Sequence, residues 1–445
     1  MDTPPRKFVP VPFAYHQEVE LSIDNLSNQG HGVGRIDNWV VFVPYTLPGE
    51  RVRARLTEDG DGAKFWRADV VEVLESVPGR VEHFWPEADA LRAASRGRLP
   101  VGGAEFGHIE LPLQRELKGQ IFAEQLSRLA KEDRTVTVEP ALDEREDGLH
   151  WRTRASFSVA PGGRLAMHAH RSEELIPVQR MPLAVDAVND LQLWNVDFSG
   201  VARVEVAVPS TGAPLVLLIP ADGAHPKALG RIASALPEGT SIASWDPETS
   251  TLNRLRGRTW VQESVLGHDF RVTGAGFWQI HRSAPLTLAQ AVLDGLRIQP
   301  GEQVADLYAG AGLFTAPLAD AAGESGRVLS VEGSPGASRD ARKNLFASPQ
   351  VEILQGRVDK SLAAYEGRLD VVLLDPPRVG AGKDVVRRID AAAPRTVGYV
   401  SCDPASFARD LGYFKELGWQ LDSLRVFDLY PHTHHMESFA VLTRP

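Results

Sequence analysis

Residues 306–314 read DLYAGAGLF, and this stretch decides the fold of the C-terminal third. The apolar run VADLY (304–308) reads as a strand, the AGAG turn follows it, and a helix begins. Glycines in such a turn let a ligand approach the backbone closely. Open α/β sheets bind their ligands outside the carboxyl ends of the strands. The turn is neither the full dinucleotide fingerprint nor a P-loop, which would need a lysine. Outward from it the same pattern recurs. RVLSVE (327–332), LDVVLLD (369–375) and TVGYVS (396–401) read as further strands. Between them run helices. Leu286, Ala289, Val292, Leu293 and Leu296 share one face after the start signals Ser283 and Pro285. A polar helix passes through Arg342 and Asn344, and another covers Val385 to Ile389. Apolar strands alternating with helices predict an α/β domain over 276–445, its parallel sheet covered on both faces.

The N-terminal half has a different period. Residues 1–12 are proline-rich and read as a loose arm. Residues 13–75 read as short strands: Glu18 to Ile23, Val40 to Val43, Arg51 to Leu56 and Ala68 to Leu74, with Gly30, Gly32 and Gly34 as turn punctuation. That spacing predicts a small β-barrel. Arg51, Arg53 and Arg55 fall on one face of their strand, which suits either phosphate contacts or an ordinary solvated face. Pro78 and Gly79 mark a boundary, and residues 80–275 read as a central α+β domain with an amphipathic helix from Leu113 to Lys131. The densest basic stretch is Arg152, Arg154, Arg164, His168, His170 and Arg171, open to RNA contact or to a solvated hairpin.

Composition bounds the function. At ~150 residues per domain, 445 residues predict about three domains. With 43% hydrophobic and 24% charged residues, the chain is not disordered, collagen-like or a coiled coil. Apolar runs such as Pro214 to Pro220 fall far short of the ~20 residues that span a bilayer, so no membrane partner is expected. The start, MDTPPRKFVPVP, carries no apolar signal core. A net charge of −10 is not that of an unspecific polyanion binder, so a nucleic-acid partner must be held by a local basic surface. The single cysteine, Cys402, cannot form an internal disulfide or a four-thiolate metal site, which predicts a cytoplasmic protein. That thiol is either an inert core residue or a nucleophile.

Four positions carry chemistry. Glu332 ends the strand after the glycine turn, placed to accept ribose hydroxyls; alone it would read as a helix cap or surface acid. Asp375 ends LDVVLLD and opens DPPR, where two prolines stiffen the loop. Cys402 lies in SCDP, in a turn at the end of another strand, where substrates bind rather than mid-core. Glu437 precedes a terminal apolar strand in HTHHMESFAVL and fits a general base. The three histidines beside it have no second cluster to complete a metal site, so no metal is expected. A cofactor cleft, a thiol and a carboxylate base suit methylation at C5 of uracil. Thiolate addition to C6 makes C5 nucleophilic, C5 takes a methyl group from S-adenosylmethionine, and a base removes the C5 proton. The thiol needs a polar or electropositive setting, to which Arg378 would contribute.

These motifs, in this order, resemble the RNA uracil-C5 (5-methyluridine) methyltransferase family, and residues 13–75 resemble its TRAM domain, an OB-like RNA-binding barrel. The resemblance covers essentially the whole chain and is most specific from Gln279 onward. It implies a Rossmann-like S-adenosylmethionine domain, Cys402 as nucleophile and Glu437 as proton acceptor. It also implies cofactor contacts at Gln279 (in GFWQIH), Tyr308, Glu332 and Asp375. Three positions depart from the family. VGGAEFGH (101–108) lacks the cysteines that hold a [4Fe–4S] cluster in many relatives, so none is expected. Leu313 stands where the glycine motif usually has asparagine, and His281 likewise in GFWQIH.

The resulting expectation is a class I S-adenosylmethionine-dependent enzyme acting on uridine C5 in structured tRNA or rRNA, with a monomer as the default state. The target base must be flipped out to reach Cys402. RNA cytosine-C5 enzymes typically use two cysteines, and this chain has one. Exocyclic amine methylation uses a DPPY-like loop, where Arg378 replaces the aromatic residue. A non-catalytic RNA-binding protein with a degenerate cofactor site is the remaining alternative, favoured by Leu313 alone.

Overall fold

The computed structural model describes residues 16–58 and 65–444, in two units: residues 16–117 with His432–His434, and residues 118–431 with 435–444. The proline-rich arm (1–12) and residues 13–15 of the predicted barrel lie outside the described residues. No helix of the described chain is long and apolar enough to cross a membrane.

In the first unit, β1 (Glu18–Leu26), β2 (Gly32–Ile36), β3 (Trp39–Val43), β4 (Arg51–Glu58) and β5 (Phe65–Glu75) close a barrel in the order β1-β2-β3-β5-β4. Period-two alternation turns Ile23, Val41, Val43, Val52, Leu56 and Trp66 into its core. Gly32 and Gly34 are strand residues of β2 rather than turn punctuation. A Cβ on Gly32 would collide with Thr46 Oγ1, and one on Gly34 with the Ser22 carbonyl. Close packing of the barrel wall, not a turn, requires them. Arg51, Arg53 and Arg55 do share a face, but the neighbouring strands give each a carboxylate. Arg51 pairs with Glu20 at 2.6 Å and Glu75 at 3.2 Å, Arg53 with Glu72 at 2.6 Å, and Arg55 with Glu18 at 2.8 Å. Of the two readings of this face, the structure favours the solvated, ion-paired one. In VGGAEFGH (101–108), Val101, Ala104, Phe106 and His108 are buried. His83 bonds to the Ala104 carbonyl through Nε2 and accepts the Trp85 N–H at Nδ1, both at 3.0 Å.

The second unit holds two larger sheets. The strand β6 (Val138–Pro140) comes first in the chain. Then β7 (Arg154–Ala160), β8 (Arg164–His168), β9 (Leu175–Pro177), β10 (Val201–Ala207), β11 (Leu215–Pro220), β12 (Ser241–Asp246) and β13 (Thr251–Arg256) form one sheet, ordered β13-β12-β11-β10-β7-β8-β9. A hairpin follows, β14 (Trp260–Val265) with β15 (His268–Thr273). The last sheet takes β16 (Gln303–Leu307), β17 (Arg327–Glu332), β18 (Val351–Gln355), β19 (Val371–Leu374), β20 (Thr396–Ser401), β21 (Gln420–Asp428) and β22 (Glu437–Thr443). Its order is β18-β17-β16-β19-β20-β22-β21-β6, parallel from β18 to β20 and antiparallel at β22. The strand order reverses between β16 and β19, so the crevice of this doubly wound sheet opens at their carboxyl ends.

Helix Ala284–Leu296 has Pro285 in its first turn and buries Leu288, Ala289, Val292 and Leu296, which are the predicted spacing apart from Leu288. Leu286, predicted on that face, is 42% exposed. The helix predicted from Leu113 runs Leu111–Gln125, then widens over Leu126–Ala130 and stops at Lys131 in the left-handed region, φ 53°.

Candidate active site

The carboxyl ends of four neighbouring strands assemble the site. In the order β17, β16, β19, β20 they end in Glu332, Leu307 before Tyr308, Leu374 before Asp375, and Ser401 before Cys402. The register is tight: Leu307 lies between Val331 and Leu374. The Asp375 N–H donates to the Leu307 carbonyl at 3.2 Å, so its position follows from the ladder. Glu437 arrives from the antiparallel strand. Ser401 of β20 faces Ser438 of β22, and one step further sets Cys402 opposite Glu437. The Ser438 hydroxyl donates to the Ser401 carbonyl at 3.2 Å and pins that register.

The glycine turn is built to meet a ligand. Gly310 has φ 58° and a Cβ there would meet no atom within 4 Å, so the backbone faces open space. Tyr308, a bulky residue at φ 65°, occupies the left-handed region, a strain of the kind that collects at ligand clamps. Glu332 holds the turn: its Oε2 accepts the Gly310 N–H at 2.9 Å and its Oε1 the Ser334 N–H at 2.5 Å. Carboxylate oxygens carry further lone pairs, so both remain able to accept hydroxyl hydrogens. Leu313 is buried in the core cluster, an apolar packing role in place of an amide.

Gln279 is placed differently from the strand-end residues. It is 5% exposed, in the loop between β15 and helix Ala284–Leu296. That loop is bonded to the segment before β7: the Thr153 N–H donates to the Ile280 carbonyl at 2.8 Å and the Arg282 N–H to the Trp151 carbonyl at 2.9 Å. His281 stacks on Trp151 with centroids 5.6 Å apart and an interplanar angle of 17°. Burial lowers its pKa to about 4, so it stays neutral and accepts from the Ser283 N–H at 3.1 Å. Trp151 meets Tyr430 edge-on at 5.9 Å, and the Tyr430 hydroxyl donates to Glu437 Oε1 at 2.8 Å. The loop of Gln279 thus reaches the strand-end acids through aromatic contacts that no sequence spacing signals.

The electrostatics differ from the electropositive alternative expected for the thiol. Burial and then the charge of Glu437 push Cys402 up to about 12, with Asp375 and Asp403 adding to the rise. Arg378 alone draws it down. Burial and then Asp375 raise Glu437 to about 8, and burial raises Asp375 to about 7. Asp306, absent from the predicted set, is fully buried at the end of β16, accepts from Thr315 Oγ1 at 2.5 Å and rises to about 7. Its signal in the sequence was an acid inside an apolar strand.

The basic stretch of the central sheet divides. Arg164, His168 and Arg171 are exposed. Arg154 turns inward, donates to the Gly276 carbonyl at 2.8 Å and lines a cavity of about 140 Å³. His432, His434 and His435 do not converge. His432 exchanges hydrogen bonds with Gln114, and His435 lies beside Tyr430. Among the described residues no group of three His, Cys, Asp or Glu could hold a metal.

A barrel followed by a doubly wound sheet, with acids, a thiol and a glycine turn at the carboxyl ends of its strands, defines a methyltransferase-type α/β enzyme. The TRAM-domain profile matches residues 16–71, the tRNA (uracil-5-)-methyltransferase profile residues 354–445, and that of protein-L-isoaspartate O-methyltransferases residues 274–360. An uncharacterized RNA methyltransferase of Streptomyces avermitilis is 38% identical over 96% of this chain and 98% of its own. One of Bifidobacterium longum is 36% identical over 96% of this chain and 97% of its own. The chain belongs to the TRAM-bearing, S-adenosylmethionine-dependent RNA (uracil-5-)-methyltransferase family. The crystal structure of Pyrococcus abyssi tRNA (uracil-54, C5)-methyltransferase in complex with S-adenosyl-L-homocysteine shares its fold. Its TM-score is 0.71 at 20% identity, over 96% of this chain and all of that one.

Proposed function

We propose that this enzyme methylates C5 of a uridine in folded tRNA or rRNA through a covalent bond between Cys402 and C6 of the base. The observation that carries the reading is the register that sets Cys402 opposite Glu437, at the strand ends where Asp375 and Glu332 also converge. S-adenosylmethionine, when bound, supplies an activated methyl group on a sulfonium. Glu332 would hold its ribose hydroxyls, and Asp375, Tyr308 and Gln279 would complete the cofactor contacts. The open backbone at Gly310 and the two acids fit a cofactor with a diol and positive charge. The three-part division into a barrel (13–75), a central RNA-binding domain (80–275) and a catalytic domain (276–445) is part of the same reading, as is a monomeric, cytoplasmic enzyme.

The chain's residues then act in sequence. Cys402 gives up its proton to solvent and its sulfur adds to C6; the C5–C6 π pair moves to C4–C5, the C4 carbonyl pair moves to its oxygen, and C5 becomes nucleophilic. In the free chain this thiol is protonated. Burial and the charges of Glu437, Asp375 and Asp403 hold it so, against the attraction of Arg378. Once C5 carries the methyl group, Glu437 takes the C5 proton, the double bond re-forms and the C6–sulfur bond breaks, returning the thiolate. An ionised Glu437 is required for that step, and a pKa near 8 suits a base working near neutral pH.

Glu437→Gln tests the assignment. It should stall after methyl transfer and trap the RNA on Cys402, seen as a shifted band in a denaturing gel. Absence of the band would mean that another group takes the proton.

A further inference from the structure

We propose that Tyr430 is a positioning residue for the base: its phenol occupies one oxygen of Glu437 and leaves the other aimed to take the C5 proton. This rests on the reading of Cys402 and Glu437 given above. The Tyr430 hydroxyl donates to Glu437 Oε1 at 2.8 Å, and Glu437 is only 4% exposed, so solvent does little to orient that carboxyl. Tyr430 can only donate there, because burial and the charge of Glu437 keep its phenol well above 10.

The phenol is itself held in place. Trp151 meets its ring edge-on at 5.9 Å and His435 at 6.0 Å. The Tyr430 carbonyl accepts Lys118 Nζ at 3.1 Å, and Lys118 is salt-bridged to Asp428 at 2.5 Å with both side chains fully buried. A ring held between two aromatic neighbours on an anchored backbone, with its hydroxyl on the base, is more than packing. A hydrogen bond donated to a carboxylate stabilises its charged form and sets the plane of the group. The other titratable and charged groups acting on Glu437 are Asp375, which raises its pKa, and Arg378, which lowers it, with Cys402 facing it across the strands.

Tyr430→Phe keeps the ring and removes only the hydroxyl. Two readouts separate positioning from packing. In the free chain, the pH profile of Cys402 alkylation by iodoacetamide should bend where Glu437 ionises, because the new charge disfavours the thiolate. Glu437→Gln should abolish that bend and so identify it. In Tyr430→Phe the bend should move up by roughly one pH unit, the size of a charge-assisted hydrogen bond. In the full reaction, the acidic limb of 5-methyluridine formation should move up equally, and the Cys402–RNA adduct should accumulate severalfold at pH 7. A bend and a limb that stay in place, with rates lowered alike at every pH, would overturn the inference. A wild-type chain that makes no 5-methyluridine would overturn the reading of the site instead, while the alkylation profile still decides whether Tyr430 holds Glu437.

Discussion

Cys402 stands opposite Glu437 across the end of an antiparallel ladder, one step beyond the pair Ser401 and Ser438. Two residues 35 apart in the chain are thereby brought near enough for the charge of Glu437 to act on the Cys402 thiol. A one-residue slip of β22 would turn Glu437 to the other side of the sheet. The parallel strands β19 and β16 set Asp375 and Tyr308 beside them by the same means.

Buried charge on this scaffold makes a stability prediction. Lys118 and Asp428 are fully buried and 2.5 Å apart. Lys118→Met would leave Asp428 without its ammonium partner, and should cost about 3–5 kcal/mol. Thermal unfolding checks this, and Lys118→Met with Asp428→Asn should recover part of the loss.

Asp306 makes a pH prediction. Its folded pKa, about 7, lies above the ordinary carboxylate value, so the folded chain holds its proton more tightly than the unfolded one. Stability from this group is full below about pH 4 and declines as pH rises toward 7. Asp306→Asn removes the decline. The melting temperature of the variant minus that of the wild type should therefore grow between pH 5 and pH 8; a constant difference would reject the shifted titration.

Glu332 should matter to the cofactor. Glu332→Ala removes the acceptor for the Gly310 and Ser334 N–H groups as well as the proposed ribose contact. Affinity for S-adenosylmethionine, read by calorimetry, should fall at least tenfold, while Glu332→Gln, which keeps one acceptor oxygen, should lose less.

The barrel arginines should matter little to RNA. Each of Arg51, Arg53 and Arg55 already has a carboxylate partner. Replacing all three with glutamine should leave the slope of log affinity against log salt nearly unchanged. Replacing the exposed Arg164 should flatten it, by about one unit for the phosphate it neutralises.

Much of this was legible in the chain. The strands that carry the site are apolar runs ending in a chemical residue, and period and punctuation suffice to read them. The strand Gln420–Asp428 escaped because its exposed Gln420, Asp422, Ser423 and Arg425 interrupt the apolar run, and Val138–Pro140 because three residues make no pattern. Gly32 and Gly34 misled because close barrel packing and a turn both call for glycine. At Cys402 the attraction of Arg378 is as expected, but burial and the charge of Glu437, which only the fold brings there, outweigh it. Tyr430 and Trp151 gave no signal, since aromatic residues without periodicity read as core, and only the folded loops bring them to Glu437.

The most direct test of the account is methyl transfer from labelled S-adenosylmethionine to cellular RNA lacking 5-methyluridine, with nucleosides read by mass spectrometry. The wild-type chain should form 5-methyluridine, and Cys402→Ala should form none while binding the cofactor normally. Formation of 5-methyluridine by Cys402→Ala would contradict the covalent mechanism.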